Sequence, residues 1–234
     1  MSTLTIIREV CKRVGLPVPN TATGSTDPQV NQLLAILNEE GQELAQRHAW
    51  QALNQEATFT TVATEIQGTL NSIAPGLKYI INDTIWNRDL KRPVFGPITE
   101  QRWQQLKAMT MQGPWNQYRI IGNQIKFLPA PSAGQTCYFE YVSKNWCYDT
   151  TGVTKSSFTL DDDEPYLDEQ ILQLGLEWRW KSAKGLEYAE KFNTYERRVM
   201  DAIGRDGGRD TLNLADMKYD IYPGITVPSG SWSV

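Results

Sequence analysis

Apolar residues recur at helical spacing near both ends of the chain, whereas its middle shows β-branched and alternating runs. Leu4, Ile7, Val10, Cys11 and Val14 predict a first helix, with Thr3 or Thr5 as its cap and Gly15 and Pro17 as its stop. After a loop rich in Pro, Thr, Gly and Ser (16–27), Asp27 and Pro28 open a second helix as N-cap and first-turn proline. Val30, Leu33, Leu34, Leu37, Leu44, Ala45 and His48 lie along one of its faces, and it ends near Trp50. From Gln55 the texture becomes that of strands: EATFTTVAT, Leu77 to Trp86, YRII, QIKFLP and TCYFEYV. Gly122-Asn123 reads as a two-residue hairpin turn, and Thr99 as the cap of a short helix that turns Trp103 and Leu106 inward. Helical spacing returns with Leu167, Ile171, Leu174 and Trp178, widened by Leu172, Leu176 and Trp180. Lys184-Gly185 breaks that helix, and a last one carries Tyr188, Phe192, Tyr195, Val199 and Ile203 before Gly204.

This pattern predicts an α+β protein. A helical bundle is built from N-terminal (1–54) and C-terminal (161–206) helices, with an antiparallel β-rich insertion (55–160) and an extended C-terminal arm (207–234). The arm has no period and is cut by Pro223-Gly224 and Pro228. It nevertheless carries Leu212, Leu214, Met217, Tyr219, Ile221, Tyr222, Ile225, Val227 and Trp232. Burying such side chains gains roughly 1.5–3 kcal/mol each, while ordering backbone costs about 1–2 kcal/mol per residue. The two sums are similar, so the arm needs a surface to hold it, either a partner or its own domain.

Composition narrows the function. A formal net charge of -4 argues against tight sequence-independent binding to nucleic acid. Cys11, Cys137 and Cys147 are widely spaced and predict reduced thiols in a cytoplasmically assembled protein. The start of the chain lacks the apolar core of a signal peptide, and no run reaches transmembrane length. His48 is the single histidine, which removes most schemes built on paired histidines, and its place on an apolar stripe predicts a packing role. The run Asp161, Asp162, Asp163, Glu164 reads as the acidic start of the following helix rather than a cation site. GxxxxGK[ST], GxSxG and HExxH are all missing from the sequence. No enzyme, metal or cofactor is expected. Arg88, Lys91 and Arg92 form a small basic turn and, with Trp115, are candidate contacts to a neighbouring subunit or tail component.

Several words in order carry a resemblance: TTVA (60–63), IWNR (85–88), KRPVFGP (91–97), YRIIGN (118–123), FLPAPSAGQT (127–136), FEYVS (139–143) and LGLEWRWKSAKGLEYA (174–189). Together they resemble the head-to-tail adaptor proteins of tailed bacteriophages, also called tail tubular protein A in some short-tailed phages. The resemblance covers residues 1–206. It implies a structural virion protein at the head-to-tail interface, in a ring of about twelve copies. It also implies a portal protein above, a tail nozzle or tail tube below, double-stranded DNA passing through the bore, and no membrane. The arm sits where related adaptors carry an extension that anchors to the portal. Two other classes remain open at the level of residues. One is a carbohydrate- or receptor-binding module, which requires several exposed tryptophans, such as Trp86, Trp115 and Trp146, in one groove. The other is a cell-wall hydrolase, which requires two carboxylates in one cleft, such as Glu140 with Asp149 or Glu164.

Overall fold

The computed structural model describes residues 1–109 and 113–207. In chain order the elements begin with helices α1 (Thr3–Val14) and α2 (Pro28–Arg47) and strands β1 (Asn54–Thr60) and β2 (Ile66–Thr69). Next come α3 (Leu70–Ile73), β3 (Leu77–Ile80), β4 (Trp86–Asn87), β5 (Arg92–Pro93) and α4 (Glu100–Ala108). Strands β6 (Gln117–Ile121), β7 (Gln124–Leu128), β8 (Thr136–Ser143), β9 (Cys147–Tyr148), β10 (Thr154–Lys155) and β11 (Glu164–Pro165) follow. Helices α5 (Glu169–Ala183) and α6 (Ala189–Asp206) complete the order. The class is α+β, as the periodicity predicts.

The bundle forms where the two ends of the chain meet. Helix α5 packs on α1, α2 and α6, and the shared core holds Ile6, Ile7, Leu33, Leu37, Leu172 and Leu176. Asp27 accepts the N–H of Gln29 at 2.8 Å and Pro28 sits in the first turn, so α2 starts as its sequence requires. Gly15 ends α1 at φ 75°, a conformation that favours glycine. The start of α1 differs from expectation. Thr3 is already helical, and the N-cap position, Ser2, makes no side-chain cap. The first N–H groups of α1 instead reach across the sequence, Thr3 to the carbonyl of Asp163 at 2.8 Å and Leu4 to that of Asp161 at 3.1 Å.

That contact also corrects the reading of the acidic run. Asp168, not residues 161–164, caps α5, accepting the N–H of Gln170 at 2.7 Å. Asp161 accepts the N–H groups of Ala22 and Thr23 and so ties down the loop before α2. Asp163 is fully buried and accepts from Thr159 N–H, Leu160 N–H and the Lys155 ammonium.

The main sheet is organised on β8, with β1 antiparallel along one edge and β3 and β4 sharing the other. The single strand expected from Leu77 to Trp86 is broken. Asp83 turns at φ 62°, and the Thr84 hydroxyl accepts the N–H of Glu140 in place of a ladder bond. Strands β6 and β7 pair through the Gly122-Asn123 turn, and β2 adds to β7. Phe127, Phe139, Tyr118 and Ile125 fill the core between these sheets. A third sheet, β10-β9-β11, follows β8. Val142, Trp146, Cys147 and Phe158 pack in the bundle core, so the end of β8 and the segment after it join the insertion to the helices.

Candidate functional site

The proposed basic-aromatic contact group splits in two. At the start of β5, Arg92 places its guanidinium 5.4 Å from the Trp115 ring. Phe95 meets the same ring edge-on at 5.9 Å. Trp115 is 43% exposed and Phe95 is equally open, so Arg92, Phe95 and Trp115 form one outward patch. Lys91, the last residue of the turn between β4 and β5, stands exposed at φ 53°. Arg88 leaves the group: it pairs with Glu56 and lies over the Tyr138 ring at 3.5 Å, on the face of the main sheet. Phe95 was not singled out from the sequence, although it stands inside the KRPVFGP word.

A second open face lies on α5 and α6. Helix α6 buries only Tyr195 and Val199 fully, and its Phe192 and N-cap Tyr188 are exposed beside the half-buried Trp178. Trp178 and Phe192 meet edge-on at 5.1 Å. The amphipathic stripe read from the sequence is therefore only half covered. On α5 the deepest residues are Leu172 and Leu176, while Leu174 and Trp178 are half-buried, so the helix is rotated from its expected face. The arm residues Leu212, Leu214, Met217, Tyr219, Ile221, Tyr222, Ile225, Val227 and Trp232 lie outside the described residues.

The groups considered for chemistry hold the fold. His48 does not sit on the buried stripe of α2. It is the helix's C-cap, edge-on to Trp50 at 5.1 Å, with Nε2 3.2 Å from Asp206. All three cysteines are free and buried, and burial pushes the thiols of Cys137 and Cys147 up to about 12, which suppresses the nucleophilic thiolate. Asp149 and Glu164 border one recess of ≈ 470 Å³, but Glu140 lies on β8 in a different sheet, opposite Glu56. The Thr151 hydroxyl and backbone N–H groups bind Asp149 and hold its carboxyl below the ordinary range. A general acid needs the opposite shift. Among the described residues, no group of three His, Cys, Asp or Glu side chains is placed to hold a metal ion. Trp146 is buried, Trp86 is half-buried, and of these three only Trp115 is exposed, so they do not line a common groove.

The sequence reading missed a buried ionic cluster. Glu40, at 0% exposure on α2, faces Arg179 of α5 at 2.5 Å, and Arg179 also reaches Glu39 and Glu43. Burial raises the Glu40 carboxyl, while Tyr195 and Arg179 oppose the rise. The signal was present: Glu40 stands on the stripe between Leu37 and Leu44.

Polar groups spent on internal ties, beside two open apolar faces on different elements, define a structural protein that works by contact. The model of the SU10 adaptor protein family matches residues 1–217, and the chain belongs to that family. It is a phage adaptor, a structural component in class. None of the curated proteins compared with the chain matches it. Among the described residues, no helix is long and apolar enough to cross a membrane.

Proposed function

We propose that this adaptor assembles as a ring of about twelve copies at the head-to-tail interface of the virion. Its role there is similar to that of tail tubular protein A in short-tailed phages. The portal protein sits above the ring, a tail nozzle or tail tube below, and double-stranded DNA exits through the bore. The arm (207–234) anchors each copy to the portal. The observation that carries this reading is the family match over residues 1–217 on a chain whose sequence after Gly207 is rich in apolar residues.

Two further features support it. A closed ring of identical chains uses two different patches on each copy. The Trp178-Phe192 face and the Phe95-Trp115 patch sit on separate elements. A formal net charge of -4 also suits a bore along which DNA slides rather than sticks.

Truncation tests the anchor. A chain ending at Gly207 is expected to keep the circular dichroism of the intact protein and to lose co-sedimentation with portal rings. Undiminished co-sedimentation would refute the anchoring role. The symmetry of the chain in intact particles tests the ring itself.

A further inference from the structure

We propose that a recess at one end of the bundle seats the first stretch of the chain's own C-terminal segment, residues 209–214, with Leu212 as the filling side chain. The recess lies where the end of α2, the turn after it, the start of α5 and the last turn of α6 converge. It holds ≈ 340 Å³. Leu44, Trp50 and Ile171 supply apolar walls, with Ala202 of α6 beside them. Trp50 is fixed in place by donating its indole N–H to the carbonyl of Leu44 at 2.7 Å. A cavity of this size and polarity takes a branched aliphatic side chain with room to spare.

The occupant follows from where the described chain ends. Arg205 and Asp206 line the recess, so the chain leaves α6 from its rim. That exit is held: Asp206 accepts the N–H of Gln51 at 2.9 Å and faces His48 Nε2 at 3.2 Å. Gly207 and Gly208 come next and permit a reversal that other residues resist. Leu212 is then the first apolar side chain after the helix. A few residues of chain extend by about 3.3–3.6 Å each, enough for Leu212 to return to the recess. Arg209 and Asp210 precede it, opposite in charge to Asp168 and Arg205 at the rim. A tether this short gives an effective concentration on the order of mM, which favours the chain's own segment over that of a second copy.

The seat divides the arm. Residues 209–214 root it on the bundle, and the reach toward any partner begins after Leu214. This does not depend on the portal reading, because the seat forms in the isolated chain.

Two measurements on the full chain test it without portal. In hydrogen exchange, amides of 210–214 are expected to exchange at least tenfold more slowly than those of 216–220, and Leu212→Asp should remove the difference. Equal exchange in the unmodified protein would overturn the proposal, as would protection that appears only at high protein concentration. In the second, Ala52→Cys at the mouth of the recess is combined with Leu212→Cys. Oxidation should close a disulfide within one chain at least tenfold faster than for Ala52→Cys with Trp232→Cys. Equal rates, or a disulfide-linked dimer, would contradict a seat in the same chain.

Discussion

Glu40 and Gly41 occupy adjacent positions on α2 where leucine would suit the pattern, and each is explained by what it meets. A Cβ at Gly41 would lie 2.3 Å from the Trp146 ring, so the glycine admits the indole that joins the insertion to the bundle. Gly41→Ala is expected to cost about 1–3 kcal/mol through overpacking, measured by urea unfolding. A Cβ at Gly175 would lie 2.4 Å from Glu40, so α5 approaches α2 closely at the carboxylate. Removing one partner of a buried ion pair strands the other. Arg179→Met should therefore destabilise by about 3–5 kcal/mol near neutral pH. The pH dependence has a definite sign. Burial raises the folded Glu40 carboxyl above its ordinary value of 4.5, so the folded state binds the proton more tightly than the unfolded state. The defect of Arg179→Met should shrink as pH falls through the folded value, and a deficit that stays constant would count against a charged Glu40. Asp163 behaves oppositely. Burial opposes its ionisation, yet Lys155 and two backbone N–H groups hold it below 3.8. Its contribution is present above that value and is lost as pH falls through the lower folded one. Asp163→Asn should flatten the acid limb of the stability curve.

Among the elements, α6 is the least embedded of the long helices. Tyr195 and Val199 carry its packing, aided by the Arg47–Glu196 pair at 2.7 Å and by the ties of Asp206. Stability is uneven within a fold, and segments with few buried contacts open first. Tyr195→Ala, a loss of about 3–5 kcal/mol by analogy with other large aromatic deletions, should expose α6 amides to exchange well before those of α2. Uniform loss of protection would show that α6 opens only with the whole bundle. The same contrast explains what the sequence could reveal. Helix α2 declares itself through Asp27-Pro28 and a regular stripe, and the β6–β7 hairpin through Gly122-Asn123, because these signals are local. The cap on α1 is a pair of carbonyls from Asp161 and Asp163, supplied by distant chain, and no local pattern encodes it. The break after β3 depends on one threonine hydroxyl reaching β8. Arg88 and Arg92 read as parts of one small basic turn, but a short strand pair sends one to the sheet face and the other to Trp115.

For the molecule as a whole, the open faces matter more than any single group. Scattered exposed apolar residues are normal on a monomer, whereas aromatics clustered in mutual contact signal a contact surface. Tyr188 and Phe192 are clustered in this way, both within ring-contact distance of Trp178. In the proposed ring each copy presents one patch forward and a different patch backward, so a subunit damaged on one side keeps the other. This makes a small fraction of damaged subunits informative. A Phe192→Glu chain should unfold within a few degrees of the unmodified protein, because Phe192 is already exposed and surface changes are usually within about 0.5 kcal/mol. Mixed with intact subunits, it should join a growing assembly by its sound face and end growth at the damaged one. Completed rings should then fall more steeply than the fraction of damaged chains, because one such chain prevents closure. Negative-stain counting of rings against the mixing ratio measures this directly. A decline merely proportional to the intact fraction would mean that damaged chains are excluded. Rings formed normally with Phe192→Glu subunits inside them would remove this face from the assembly contact and leave the Phe95-Trp115 patch as the surface to test in the same way.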